Sequence, residues 1–157
     1  MVREHIGMTT PVLRRRYVLD ASLMGAVLNM DDPAHQESYW FFQNLHDTDG
    51  ATWVVPGLIF FELQAIRARR FREHADASPV YQRIPLFMEN TELYEVTAPF
   101  LKKVWDLDLY RKFNTLKGAD LLYACIAHVE RIPLVTQDRD FDRHRDLIEI
   151  VRPGSGV

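Results

Sequence analysis

Short apolar runs along the chain alternate with longer segments of helical character. The short runs end at polar or turn residues, which predicts buried strands; they cover residues 17–19, 52–55, 93–97, 133–136 and 148–151. The longer segments predict helices; they cover residues 22–29, 34–45, 58–73, 100–113 and 118–131. Strands that alternate with helices favour a parallel sheet covered on both faces. The predicted fold class is therefore α/β, a three-layer α/β/α sandwich around a mostly parallel sheet.

Three stretches fall outside this alternation. Residues 1–16 are predicted to form a loose leader, residues 47–50 have the composition of a turn, and residues 75–90, broken by two prolines, show no readable pattern. Residues 17–157 contain no internal repeat and no linker long enough to divide them. They are predicted to form a single domain, with the last strand at an edge of the sheet.

Composition narrows the function classes. The 157 residues are 47% hydrophobic, which supports a packed core and argues against global disorder. The net charge of -3 means that any attraction to phosphate must come from a local basic patch or from bound cations. Cys125 is the one cysteine, which excludes an intramolecular disulfide. No apolar stretch is long enough to span a bilayer and the start has no signal-peptide pattern, so we expect a soluble cytoplasmic protein with no membrane association.

Acidic residues follow the predicted strands, where parallel sheets bind their ligands. Asp20 comes directly after strand 17–19, and Asp138 and Asp140 follow strand 133–136. Asp120 opens the helix 118–131. Each position also has an ordinary structural explanation, namely a helix cap, a first-turn acid or a polar loop.

Glu62 is more unusual because it lies within a helix. Ile59 and Ile66, three residues before it and four after it, share its helical face. Glutamate is rarely buried without a partner. A carboxylate on an apolar face needs an arginine, a cation or a proton, and the sequence leaves a metal ligand and a salt bridge equally open.

Together these acids suggest a cation site. Gathered carboxylates raise one another's pKa unless a cation neutralises them, and oxygen ligands suit Mg²⁺ or Mn²⁺. The six histidines show no HExxH-like spacing, and one cysteine cannot form a thiolate zinc site. Asp142 adds another acid beside Asp138 and Asp140, and the sequence does not decide which of the three completes the set.

The order and spacing of four motifs resemble the PIN-domain family, which includes the VapC-like toxins of bacterial and archaeal toxin–antitoxin pairs. The motifs are Tyr17–Ser22, Pro56–Glu62, Gly118–Asp120 with Ala124 and Ala127, and Leu134–Phe141. The resemblance extends from Tyr17 to Val151. It implies four acids that are both catalytic and metal-binding, namely Asp20, Glu62, Asp120 and Asp138. It also implies Asp140 as a further metal ligand, and Ser22 and Thr136 as supporting polar residues.

What the resemblance implies is an Mg²⁺- or Mn²⁺-dependent endoribonuclease. Such an enzyme would hydrolyse phosphodiester bonds in single-stranded or structured RNA and leave a 5′-phosphate and a 3′-hydroxyl. An antitoxin protein and a second copy of the chain are the implied partners. The basic run 67–72 is the candidate RNA contact, with Arg67, Arg69 and Arg70 as the residues expected to bind phosphates. A solvated, charged helix end is the alternative explanation of this run.

Two other functions fit parts of the pattern. A haloacid-dehalogenase-like phosphatase also places an aspartate after its first strand, but Asp20-Ala21-Ser22 lacks the second aspartate usual two residues later. The resemblance also allows a catalytically inactive PIN scaffold that binds RNA or protein. Such a scaffold would have a broken acidic set, whereas all four acids are present here.

Overall fold

The computed structural model describes residues 15–73 and 90–154 and contains a five-stranded parallel sheet in this part of the chain. The strands are β1 Arg16–Leu19, β2 Thr52–Pro56, β3 Thr91–Tyr94, β4 Leu134–Val135 and β5 Ile150–Val151. They lie in the order β3-β2-β1-β4-β5, and each neighbouring pair is parallel. The predicted parallel sheet is confirmed, with β5 at one edge.

Helices cover both faces of the sheet. They are α1 Ala21–Leu28, α2 His35–Asp49, α3 Leu58–Glu73, α4 Ala98–Asp106, α5 Leu109–Lys112, α6 Ala119–Glu130 and a 3₁₀ helix at Arg139–His144. Alternate residues of the strands divide between two hydrophobic cores. In β1, Leu19 packs with the buried residues of α1 and α3, whereas Val18 packs with those of α5 and α6. The three-layer α/β/α sandwich is therefore confirmed.

Several predicted boundaries were wrong. The predicted helix 100–113 is two helices, α4 and α5, because Asp108 between them has the left-handed φ of 57°. The predicted turn 47–50 is mostly helical, since α2 continues to Asp49 and ends at Gly50. The strand predicted at 93–97 begins two residues earlier, at Thr91, and ends at Tyr94.

Parts of two predictions lie outside the described residues. They are the leader as far as residue 14 and the unreadable stretch between residues 75 and 89. The strand β1 begins at Arg16, one residue before the predicted start. Among the residues that are described, no helix is both long enough and apolar enough to cross a membrane.

The order of the strands creates the place for a site. The chain runs outward from β1 to β2 and β3, and then returns to pair β4 with the other side of β1. The chain therefore leaves β1 toward one side of the sheet and β4 toward the other, and the diverging connections leave a crevice at the carboxyl ends of these two strands. Close packing of α1 on α3 brings a third element to it, because Gly25 has no Cβ and a Cβ there would lie 3.1 Å from Ile66 Cδ1.

Candidate active site

Asp20 lies in this crevice, immediately after β1, and is 3% exposed. Its backbone N–H donates to Val135 O at 3.1 Å, which joins the end of β1 to the end of β4. Its Oδ2 accepts hydrogen bonds from Ser22 Oγ at 2.5 Å and from Thr136 Oγ1 at 2.6 Å. Burial raises the pKa of Asp20, these hydroxyl groups lower it, and the charge of Asp138 raises it further.

The two hydroxyl groups also organise the loop after β4. Asp138 N donates to Thr136 Oγ1 at 2.9 Å, and Gln137 N donates to Ser22 Oγ at 3.2 Å. The side-chain amide of Gln137 reaches Ser38, a fully buried residue of α2. Ser22 and Thr136 therefore lie beside the predicted acids and hold Asp20 and the Asp138 backbone in one hydrogen-bonded network.

Glu62 is half-buried on α3, and its recorded partner is a tyrosine. Tyr123 of α6 is 0% exposed, and its hydroxyl donates to Glu62 Oε2 at 2.5 Å. Among the side chains that the structure describes, Glu62 has this tyrosine hydroxyl and no ion pair, so the salt-bridge explanation receives no support from them. Burial raises the pKa of Glu62, the Tyr123 hydrogen bond lowers it, and the charge of Asp20 raises it.

Asp120 is half-buried in the first turn of α6, and its pKa responds to the charges of the other three predicted acids. Its pKa is raised to about 6, first by burial and then by the charges of Asp20, Asp138, Glu62 and Asp140, in that order. Four acids separated in sequence by up to 118 positions (138 − 20) therefore act on one another. The repulsion between them favours any bound cation.

The three acids after β4 have different surroundings. Asp138 Oδ1 accepts the backbone N–H of the exposed Asp140 at 2.8 Å, and both carboxylates act on Asp120. Asp142 instead accepts hydrogen bonds from Arg152 Nη1 at 2.6 Å and Arg145 Nε at 2.8 Å, which hold its pKa below the usual value. Two arginines thus neutralise Asp142, which makes it the weakest candidate of the three for a cation ligand.

The chemistry of the donor groups fits a hard cation, although the side chains do not converge on one point. The acids that act on Asp120 offer only carboxylate oxygens, the ligands that Mg²⁺ and Mn²⁺ prefer. In the described part of the chain, no three Asp, Glu, His or Cys side chains are grouped closely enough to hold one ion. The acids are close enough for four of them to raise the pKa of Asp120, but a shared ion would require some of their side chains to move closer together.

The predicted basic contact lies further along α3. Arg69 is exposed and Arg67 is half-buried, while the side chain of Arg70 lies outside the described part of the structure. Arg69 follows Glu62 by seven residues, which corresponds to about 10 Å along a helix. The exposed position of Arg69 is compatible with a phosphate contact beside the acids.

Sequence reasoning gave no role to two residues beside the acids. Tyr123 lies three residues after Asp120 in the sequence, but its hydrogen bond to Glu62 depends on how α3 and α6 pack. Phe61 directly precedes Glu62 and is 74% exposed. The sequence contained one signal for Phe61, because Gln64, three residues later on the same helical face, is polar.

Comparison with known proteins gives a family match and several similar structures. A family model described as "PIN domain" matches residues 17–147. VapBC2 from Rickettsia felis, solved bound to a DNA fragment from its promoter, is 19% identical with a TM-score of 0.62, over 87% of this chain and 98% of that chain. PAE2754 from Pyrobaculum aerophilum is 20% identical with a TM-score of 0.60, over 89% of this chain and 92% of that chain.

A third similar structure is VapC20 of Mycobacterium tuberculosis, described as a sarcin–ricin loop cleaving toxin. It is 19% identical to this chain with a TM-score of 0.63, over 87% of this chain and 99% of that chain. No curated protein matches the chain significantly. At these identities the likeness to solved structures establishes a shared fold.

Proposed function

The chain belongs to the PIN domain family, and we propose that it is an endoribonuclease that uses Mg²⁺ or Mn²⁺ to hydrolyse phosphodiester bonds in single-stranded RNA. The observation that carries the proposal is the electrostatic coupling of Asp120 to Asp20, Asp138 and Glu62 in the crevice at the carboxyl ends of the strands. Acids arranged in this way repel one another when they are ionised, and a bound cation relieves that repulsion. Ordinary helix caps and rim acids would not need to share one crevice.

The cation would be held by carboxylates of Asp20, Glu62, Asp120, Asp138 and Asp140. When bound, such an ion activates water and stabilises charge on phosphate oxygens. Ser22 and Thr136 orient the Asp20 carboxylate through the two hydroxyl groups that donate to Oδ2. The carboxylate of Asp120 or that of Asp138 orients the attacking water.

The substrate would be held along α3. Arg67, Arg69 and Arg70 would bind phosphates. These arginines would supply a local positive charge in a chain whose net charge is negative. Phe61, exposed beside Glu62, offers an aromatic surface on which a base of single-stranded RNA can stack. A phosphate contact and a stacking surface on one helix suit an RNA strand better than a small phosphate ester.

The partners are proposed by analogy with structures of the same fold. One of these structures is a VapBC complex and another is described as a toxin that cleaves the sarcin–ricin loop. We therefore infer that this chain is the toxin of a toxin–antitoxin pair, that a protein antitoxin binds it, and that it forms a homodimer.

The test is cleavage of defined RNA oligonucleotides by purified protein with Mg²⁺, with Mn²⁺ or with EDTA. Asp20→Asn removes a central carboxylate and should abolish cleavage. Asp142→Asn is the matched control, because this acid is already paired with two arginines, and it should retain activity. Cleavage that persists in EDTA and in Asp20→Asn would contradict the proposal. Turnover of p-nitrophenyl phosphate in place of RNA would favour a phosphatase, and RNA binding without cleavage would favour an inactive scaffold.

A further inference from the structure

The side chain of Tyr123 joins two helices at the acidic cluster. It is 0% exposed on α6, and its hydroxyl donates to Glu62 Oε2 on α3 at 2.5 Å. Asp120 lies three residues earlier on α6, so Tyr123 and Asp120 share one helical face. A single turn of α6 therefore carries one acid of the cluster and the hydrogen-bond donor to another.

The hydrogen bond restricts the rotation of the Glu62 side chain. Glutamate has several rotatable bonds, and fixing them costs conformational entropy. The Tyr123 ring is enclosed in the core beneath the site, so its hydroxyl is held in one place. Since this hydroxyl donates to Glu62 Oε2, the other oxygen, Oε1, does not take part in this hydrogen bond and can accept a ligand. A distance of 2.5 Å is typical of an O–H group that donates to an ionised carboxylate.

We propose that Tyr123 is a positioning residue of the site, which holds Glu62 through Oε2 so that Oε1 is already oriented toward the cation. This inference rests on the proposed function, because it assigns Glu62 as a metal ligand. The same hydrogen bond also has a purely structural explanation, since buried tyrosine hydroxyls usually find an acceptor. The two explanations differ in what the loss of the hydroxyl changes. If Tyr123 positions Glu62, loss of the hydroxyl weakens cation binding. If its role is only structural, loss of the hydroxyl lowers only the stability of the fold.

The chain offers a matched control. Tyr94 on β3 donates its hydroxyl to Glu130 Oε1 at 2.9 Å, and Glu130 is the last residue of α6. Tyr123→Phe and Tyr94→Phe thus each remove one hydroxyl from a tyrosine–glutamate pair that involves the same helix. Only the first pair includes an acid of the cluster.

The experiment measures Mn²⁺ binding by titration calorimetry and RNA cleavage at several Mn²⁺ concentrations. Tyr123→Phe should weaken Mn²⁺ binding by about 10-fold or more, as changes to residues that orient metal ligands typically do. It should lower kcat at limiting Mn²⁺, leave the KM for RNA unchanged, and recover activity as Mn²⁺ is raised. Tyr94→Phe should match the wild type in each of these measurements.

A second measurement keeps the test valid if Tyr123→Phe proves less stable than the wild type. In a Glu62→Gln background, the added Tyr123→Phe change should no longer weaken Mn²⁺ binding, because the ligand it orients is gone. Tyr123→Phe that binds Mn²⁺ as tightly as the wild type, or an undiminished effect in the Glu62→Gln background, overturns the proposal. If the wild type binds Mn²⁺ with the predicted Tyr123 dependence but cleaves no RNA, the proposed activity is wrong and the positioning role stands. If the wild type binds no Mn²⁺, both are wrong.

Discussion

Replacement of Asp120 by asparagine should stabilise the metal-free protein at neutral pH. The pKa of Asp120 is raised from 3.8 to about 6, so the folded state holds this proton more tightly than the unfolded chain does. The raised pKa therefore costs no stability below pH 3.8, costs progressively more as the pH rises, and has its full cost above pH 6. Asparagine keeps the approximate shape of the side chain and removes the charge that the neighbouring acids repel.

The size of the gain follows from the shift. A change of about 2 pKa units corresponds to about 3 kcal/mol at about 1.4 kcal/mol per unit. Asp120 is only half-buried, and solvent screening reduces this upper limit to about 1 kcal/mol. For a domain of this size, 1 kcal/mol corresponds to a rise of roughly 2–4 °C in the melting temperature.

The assay is thermal unfolding of the wild type and Asp120→Asn in EDTA between pH 3.5 and pH 8, repeated with millimolar Mg²⁺. We expect equal stability at the acidic end and a more stable mutant above pH 6. Mg²⁺ should stabilise the wild type more than the mutant, because a ligand of the folded state adds more stability the more tightly it binds, and the mutant lacks one of the proposed ligands. Asp142→Asn is a control of opposite sign, since the low pKa of Asp142 contributes stability that is lost as pH falls. A mutant that is less stable than the wild type in EDTA, with an equal response to Mg²⁺, would show that Asp120 is only a first-turn acid of α6.

Three further predictions concern catalysis and RNA binding. Glu62→Gln should abolish cleavage and leave the circular dichroism spectrum unchanged; near-normal turnover would exclude a ligand role. Replacing Arg69 and Arg70 with alanine should weaken RNA binding and flatten its salt dependence by about 0.7 in log–log slope per lost phosphate contact, and an unchanged slope in a binding titration would place the RNA elsewhere. Phe61→Ala should raise the KM for RNA with little change in kcat, while Phe61→Trp should retain the wild-type KM. Trp105→Ala, which alters an exposed aromatic residue stacked on Tyr110, should leave the KM unchanged; an equal effect of both alanine variants would refute base stacking on Phe61.

Hydrophobic periodicity was sufficient to predict the layers of the fold. Each strand of a buried parallel sheet is a short apolar run, and such runs are visible without any knowledge of their partners. The break between α4 and α5 was not visible, because it depends on Asp108 adopting a left-handed conformation that sequence signals assign mainly to glycine. The bounds of β3 also shifted. Its Thr91 pairs in register with Trp53 of β2, so the neighbouring strand rather than local composition determines where it begins.

For the acids of the site, the position in the fold was predictable from the sequence, but the contacts of each side chain were not. Asp20 and Asp138 follow strands that lie side by side, and the rule for parallel sheets places both in one crevice. The state of each acid was not predictable, because it depends on partners distant in sequence. Arg152 lies ten residues after Asp142 and neutralises it, whereas Tyr123 lies 61 residues after Glu62 and holds it. Sequence patterns locate a carboxylate, but only tertiary packing determines what it contacts.

The contacts of the acids divide the candidate site into a rigid part and a more exposed part. Asp20 is enclosed and held by two hydroxyl groups, and Glu62 is held by Tyr123. Asp138 is half-buried, like Glu62, and Asp140 is exposed; both lie on the loop and 3₁₀ helix after β4. A cation that binds all of them would therefore meet one preformed half and draw the other half inward. This arrangement explains how four acids can raise the pKa of Asp120 while no three of the described metal-binding side chains are yet grouped around one point.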